Sequence, residues 1–182
     1  MRNQKVRFIT TTGIMLALLV SLQALTKPAG QIVTGSCVNT VLAVAALIGG
    51  LGCGLTVALI SPVLAYLLGI APQILTVPVI MVGNAVYVIL LRLLACRDEK
   101  NILMQIVAWL SAAVAKFAVL YLLVVMVICD WLAPSLMEAG VLKAPMLKAL
   151  PATFSWPQLV TALIGGAVAL TVVPLVKKAL KK

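Results

Sequence analysis

Hydrophobic residues occur in six long runs, which are separated by short stretches rich in glycine, proline and charge. The runs cover residues 8–25, 36–48, 51–70, 74–91, 102–129 and 158–176. A helix needs roughly 20 apolar residues to cross a bilayer, and most of the runs are close to that length. A segment in lipid must pair its own backbone polar groups, which a helix does. The pattern therefore predicts an all-α integral membrane protein, a bundle of six transmembrane helices that forms one domain over residues 1–182.

The second run is the shortest, and its beginning has two interpretations. It begins at Ser36 or, alternatively, earlier, near Ile32. The third run follows at once across a glycine-rich junction made of Gly49, Gly50, Gly52 and Gly54. The second and third spans are therefore predicted to form a tight helical hairpin.

The composition excludes a soluble fold, and the positions of the basic residues predict the orientation. Hydrophobic residues make up 64% of the chain and charged residues only 10%, a balance typical of polytopic membrane proteins. Ten of the 14 Lys and Arg residues lie in the N-terminal tail, in 92–100 and in 177–182, whereas the opposite loops hold only Lys27, Lys143 and Lys148. The positive-inside rule then places both termini in the cytoplasm. The same rule accounts for the net charge of +10 without any nucleic-acid partner.

Lys116 is the only charged residue in the run 102–129. That run is about 42 Å long as a helix, so the lysine lies roughly 20 Å from either end, too deep to reach a headgroup easily. The nearest acid in sequence, Asp130, is about 21 Å away along the helix. A neutral lysine, or carbonyls freed by Pro62 and Pro78, would also accommodate it. We favour a bound anion, because intramembrane charges usually serve a site.

A few other polar and aromatic residues inside the spans are candidates to line one cavity with the lysine. Trp109, Ala112, Ala113 and Lys116 have the spacing of one helix face, and Asn84 lies in the fourth span with Tyr87 on a neighbouring part of its face. The predicted substrate-binding residues are Lys116, Asn84, Trp109, Tyr87, Asn39 and Gln23. The alternative is that the amides only hold the bundle together through interhelical hydrogen bonds. The connections 26–35 and 130–157 are candidate covers for such a cavity, and the aromatic residues of the second are otherwise interface anchors.

Gly13, Ala17 and Ser21 form a series of small residues on one face of the first span. Small residues let helices approach closely in lipid. The face is therefore predicted either to contact a sibling helix or to bind a separate membrane subunit.

Several kinds of chemistry are not predicted. The chain has no histidine, and its four cysteines show no CxxC spacing, so neither a metal site nor a catalytic set is expected. No phosphate-binding P-loop motif occurs, and no carboxylate lies inside a span to couple transport to protons or sodium. A transporter of this kind would need energy from a partner. The alternatives are a structural or regulatory membrane protein with Lys116 as a packing residue, and a membrane-embedded lipid enzyme, which lacks a plausible nucleophile and base.

Taken together, these features resemble the substrate-binding (S) component of energy-coupling factor transporters. The resemblance extends over nearly the whole chain, with six very hydrophobic spans and cytoplasmic ends. It includes the series Gly13, Ala17 and Ser21, which is similar to the alanine-rich motif of that family, although only Ala17 is an alanine. It also includes the stretch 35–40, the hairpin 49–54 and the pair Gly83 and Asn84.

The resemblance implies a function and a set of partners. It implies a non-enzymatic subunit of a bacterial cell-membrane importer that binds a vitamin or other micronutrient from outside, under its first loop. It also implies a transmembrane coupling subunit and two cytoplasmic ATPases, so that ATP is used by the partners and the chain carries no cofactor. Lys116 adds the expectation of an anionic substrate.

Overall fold

The protein is built from α-helices. The computed structural model describes residues 2–70, 73–98 and 101–180, and within these ranges it contains eight α-helices and no strand. They are α1 (Arg2–Thr26), α2 (Gln31–Val44), α3 (Leu51–Leu67), α4 (Val77–Ala95), α5 (Ile102–Leu120), α6 (Ala133–Glu138), α7 (Ala144–Phe154) and α8 (Trp156–Leu180). The all-α class predicted from the sequence is confirmed.

Five helical stretches are long and apolar enough to cross a membrane. Together with their flanking turns they span Asn3–Ala29, Gln31–Gly49, Ile74–Ala95, Ile102–Trp131 and Ala144–Ala179. A sixth apolar helix, α3, has 17 residues. Many large apolar side chains on these helices face outward, as expected for a surface in contact with lipid rather than water. The count of six spans stays a prediction.

The first connection is shorter than the sequence suggested, and α2 is longer. Only a 3₁₀ turn, Lys27–Ala29, and Gly30 separate α1 from α2. Gly30 ends the turn with φ +90°, a conformation that residues with a Cβ rarely adopt. The helix therefore begins at Gln31, which confirms the earlier start near Ile32 and makes the start at Ser36 wrong.

The α2–α3 hairpin has the predicted tight junction. A π-helical turn, Ala45–Gly49, extends α2, and α3 begins at Leu51. Gly50, with φ +88°, is the single residue between them. The glycine-rich sequence at this position is therefore explained by a one-residue reversal.

The long connection after the fifth span is largely helical. A π-helical segment, Tyr121–Trp131, continues α5, and the short helices α6 and α7 follow before α8. Leu150 and Phe154 of α7 pack in a small apolar cluster with Leu120 and Val124. This packing holds α7 against the end of the α5 stretch.

Two close helix crossings hold the centre of the bundle together. Of all the helix pairs, α2 with α8 and α4 with α5 pack most extensively. A Cβ at Gly165 of α8 would lie 2.6 Å from the Cβ of Asn39, and a Cβ at Gly83 of α4 would lie 2.7 Å from Leu120. Glycine is required at both crossings because the neighbouring helix occupies the space of a side chain. These crossings bring Asn39 and Asn84 into the interior.

Both terminal regions lie at the same end of the bundle. Gln4 and Arg7 of α1 line a surface cavity together with Val176 of α8 and with Gly49, at the α2–α3 junction. The α1–α2 and α3–α4 connections consequently lie at the opposite end, which we call the cavity end.

Candidate functional site

A cavity of about 310 Å³ opens at the cavity end of the bundle. It is bordered by six of the eight helices and by the connections between α1 and α2 and between α3 and α4. The lining residues are Gln23, Lys27, Gly30, Gln31, Thr34, Gly35, Val38, Asn39, Ile70, Gln73, Thr76, Ile80, Asn84, Lys116, Ala149, Leu150, Thr153, Phe154 and Gln158. More than half of them carry polar side chains, and none of these described residues is a carboxylate. The cavity is therefore a polar chamber whose charged groups are both cations.

Lys116 lies at the wall of this cavity and is held by two amides. Its Nζ donates hydrogen bonds to Oδ1 of Asn39 at 2.6 Å and to Oδ1 of Asn84 at 2.7 Å. All three residues are almost completely buried. The ring of Tyr87 lies beneath the amine, with 5.5 Å from Nζ to the ring centroid. An amine over an aromatic face is electrostatically favourable.

The hydrogen bonds around Lys116 determine which way both amides face. An ammonium group only donates, so Asn39 and Asn84 must each present their oxygen to it. The Asn39 nitrogen then donates to Oγ1 of Thr161 at 3.2 Å, and the Thr161 hydroxyl donates to the Gln158 carbonyl at 3.1 Å. The chain of donors therefore runs from α5 through α2 into α8 without a conflict.

Two donors near the lysine are left for a ligand. A protonated lysine has three N–H bonds, and the asparagines occupy two of them. In the described part of the chain, no protein acceptor is found for the side-chain nitrogen of Asn84. An anion in the cavity would meet both groups.

Four of the six residues predicted to bind substrate line the cavity, and two do not. Gln23, Asn39, Asn84 and Lys116 belong to the lining. Tyr87 is fully buried behind Lys116. Trp109 packs between α5 and α8, where its Nε1 donates to the Ala162 carbonyl at 3.4 Å. The two aromatic residues expected to contact a flat ligand ring therefore serve the packing of the site.

Several lining residues were not identified from the sequence. The aromatic side chain in the lining is Phe154 of α7, and further polar contacts come from Lys27, Gln73 and Gln158. One signal was present in the sequence. Thr76, Ile80 and Asn84 follow each other at four-residue spacing, which places them on one face of the helix.

The small-residue series on α1 lies on the outside of the bundle. Gly13, Ala17 and Ser21 are all exposed, and a Cβ at Gly13 would meet no atom within 4 Å. A contact with a sibling helix is therefore absent at Gly13, and the series faces the surroundings of the protein.

The site offers binding rather than coordination of a metal. Within the described residues, no group of three His, Cys, Asp or Glu side chains could hold a metal ion. What the cavity presents is an amine, several amides and hydroxyls, and an apolar wall from α7. Such a mixture is typical of sites for small organic molecules.

The fold and the cavity define a multi-pass membrane protein with an internal small-molecule site. The model of the family "ECF transporter, substrate-specific component" matches residues 7–177. The chain belongs to this family and is therefore the substrate-specific subunit of a transporter that works with membrane partner subunits. Comparisons with curated proteins and with solved structures give no significant match.

Proposed function

We propose that this chain captures a vitamin or related micronutrient with an anionic group and hands it to an ATP-driven importer. The observation that carries the proposal is the Lys116 amine at the cavity wall, where no carboxylate occurs among the described lining residues. A transmembrane coupling subunit and two cytoplasmic ATPases would supply the energy. The chain itself would bind and release its substrate without catalysing a reaction or carrying a cofactor.

An anionic ligand follows from the electrostatics of the site. The oxygens of Asn39 and Asn84 satisfy hydrogen bonds, but as neutral dipoles they do not cancel a full positive charge. An uncompensated charge inside a membrane protein is costly, and it is usually paired. A carboxylate or similar group against Lys116 would complete both the charge and the hydrogen bonding.

The proposed orientation has the cavity end outside and both termini in the cytoplasm of a bacterial cell. The distribution of Lys and Arg supports it, because the tails and the segment 92–100 hold most of the basic residues. A substrate would then enter from outside, between the α1–α2 connection and α7.

The exposed face of Gly13, Ala17 and Ser21 is the proposed contact with the coupling subunit. Small residues allow two membrane helices to approach closely. The face is not used within the bundle at Gly13, so it is available to a partner.

The same hydrogen bonds also favour a second candidate role. Lys116 joins α5 to α2 and α4, as a packing residue of a structural or regulatory membrane protein would. The two roles differ in one respect: only the transport role requires the isolated protein to retain a small molecule through Lys116.

A retention experiment tests the proposal. The purified protein in detergent is incubated with a defined mixture of water-soluble vitamins and their precursors, both acidic and cationic, and retained compounds are identified by mass spectrometry. We expect the wild type to retain an acidic compound. Lys116→Met should stay folded and retain it about tenfold less or weaker still, because the ligand loses a charge-assisted hydrogen bond.

Lys178→Met is the matched control, since Lys178 is exposed on α8 at the other end of the bundle. It should retain the compound like the wild type. Equal retention by the Lys116→Met protein, or a wild type that retains no acidic compound, would contradict the proposal.

A further inference from the structure

Two glutamines in the cavity have buried side-chain oxygens without a hydrogen-bond partner. Oε1 of Gln23 and Oε1 of Gln73 are both in this state in the described structure, and both residues line the cavity. Buried polar atoms in folded proteins are nearly always paired, so each exception needs an explanation. Two such atoms in one cavity indicate a shared missing partner.

The glutamines lie closer to the cavity mouth than Lys116 does. Gln23 is in the last turn of α1, and Gln73 precedes the 3₁₀ turn that leads into α4. Asn84 is eight residues after Thr76, which places it about 12 Å deeper along α4. Asn39 is likewise eight residues after Gln31, or about 12 Å into α2. The cavity therefore has an inner cationic pole and an outer pole of amide oxygens.

We propose that the ligand carries uncharged N–H or O–H donors at the end remote from its anionic group, and that Gln23 and Gln73 accept hydrogen bonds from them. This inference rests on the proposed function, because it assumes that Lys116 contacts the anion. The distance between the two poles sets a ligand length on the order of 10 Å.

The charges of the lining explain why these donors are uncharged. Lys27 also lines the cavity, close in sequence to Gln23, and its Nζ donates to the Gly69 carbonyl at 2.7 Å. A cationic donor group on the ligand would meet a second lysine there and no carboxylate among the described lining residues. Neutral amide, ureido or hydroxyl groups avoid that repulsion and still donate to the glutamine oxygens.

The volume of the cavity limits the size of the ligand. At about 310 Å³ it is at the lower end of the range for small-molecule sites. A small acid with a donor-bearing head group fits this volume, whereas a dinucleotide-sized cofactor does not.

The experiment combines changes in the protein with a change in the ligand. The acidic compound that the wild type retains from the vitamin mixture is prepared with its N–H or O–H hydrogens replaced by methyl groups. We expect the wild type to bind this derivative about tenfold more weakly than the parent compound, since the glutamine oxygens stay unpaired. The double variant Gln23→Leu and Gln73→Leu should bind both compounds with equal affinity.

Gln4→Leu, at the other end of the bundle, is the control for the Gln-to-Leu change and should discriminate like the wild type. Equal affinity of the wild type for parent and methylated compounds, or a retained compound without any N–H or O–H donor, would overturn the inference while leaving the proposed function intact. A wild type that retains no acidic compound would instead remove the proposed function itself. The methylated ligand tests the wild type directly, so the result does not depend on the folding of the double variant.

Discussion

Lys116 is accommodated in an apolar interior by neutral dipoles supplied from two neighbouring helices. Each asparagine oxygen accepts one N–H, and the Asn39 nitrogen is itself paired with Thr161. Because the partners are tied into α2 and α8, they cannot rotate freely to bond elsewhere. The lysine is therefore held in a defined position even without a ligand, and this reduces the ordering cost of binding an anion.

Asn39→Leu should destabilise the protein because it leaves both the Lys116 amine and the Thr161 hydroxyl without a partner. Polar contacts between membrane helices contribute about 0.5–2 kcal/mol. In a Lys116→Met background the same change should cost clearly less, because the amine is gone. Unfolding of the four proteins in mixed micelles by SDS gives the coupling free energy. Strictly additive losses would mean that the two side chains do not stabilise each other.

At the scale of helices, Gly165 determines how closely α8 approaches α2. A Cβ there would lie 2.6 Å from the Cβ of Asn39 and 2.7 Å from the Ser36 carbonyl oxygen. The second contact is with backbone, which a side-chain rotation cannot relieve. The position of Asn39 beside Thr161 thus depends on one glycine in the other helix.

Gly165→Ala should therefore destabilise the protein by about 1–3 kcal/mol, as overpacking of a close crossing does, and weaken retention of the ligand. Gly13→Ala is the matched control. Gly13 is exposed on α1, where an added Cβ meets nothing, and alanine favours a helix over glycine by about 0.5–1 kcal/mol. Thermal unfolding in detergent compares the two. A Gly165→Ala protein as stable as the wild type would show that α2 and α8 can separate without cost.

The helices were largely predictable from the sequence, but the details that depend on tertiary contacts were not. Apolar runs reveal membrane helices because lipid imposes the same demand on every residue of a span. The start of α2 was less accessible, since Gly35 reads as a break and is instead accommodated against Thr161 of α8. The lysine and two asparagines were recognisable as intramembrane polar residues. Phe154 was not, because the position of α7 over the cavity depends on packing against the end of the α5 stretch.

At the scale of the whole molecule, the cavity and the small-residue face belong to different parts of α1. Gln23 lines the cavity near the end of the helix, whereas Gly13, Ala17 and Ser21 are exposed to the surroundings. A single helix therefore borders the proposed ligand site on one side and presents a surface for a partner on the other. Loss of partner binding and loss of ligand binding should consequently be separable.

Ala17→Trp should abolish co-purification with the coupling subunit, because an indole on the exposed face prevents the close helix approach that small residues permit. Retention of the acidic ligand by the isolated subunit should be unchanged, since Ala17 does not line the cavity. Ala118→Trp is the matched control: Ala118 is exposed on α5, away from the small-residue face, and this variant should keep both properties. Co-expression with the coupling subunit and affinity purification measure the first effect. If Ala17→Trp also lost the ligand, the residue would act in internal packing, and if co-purification persisted, the partner would bind a different face.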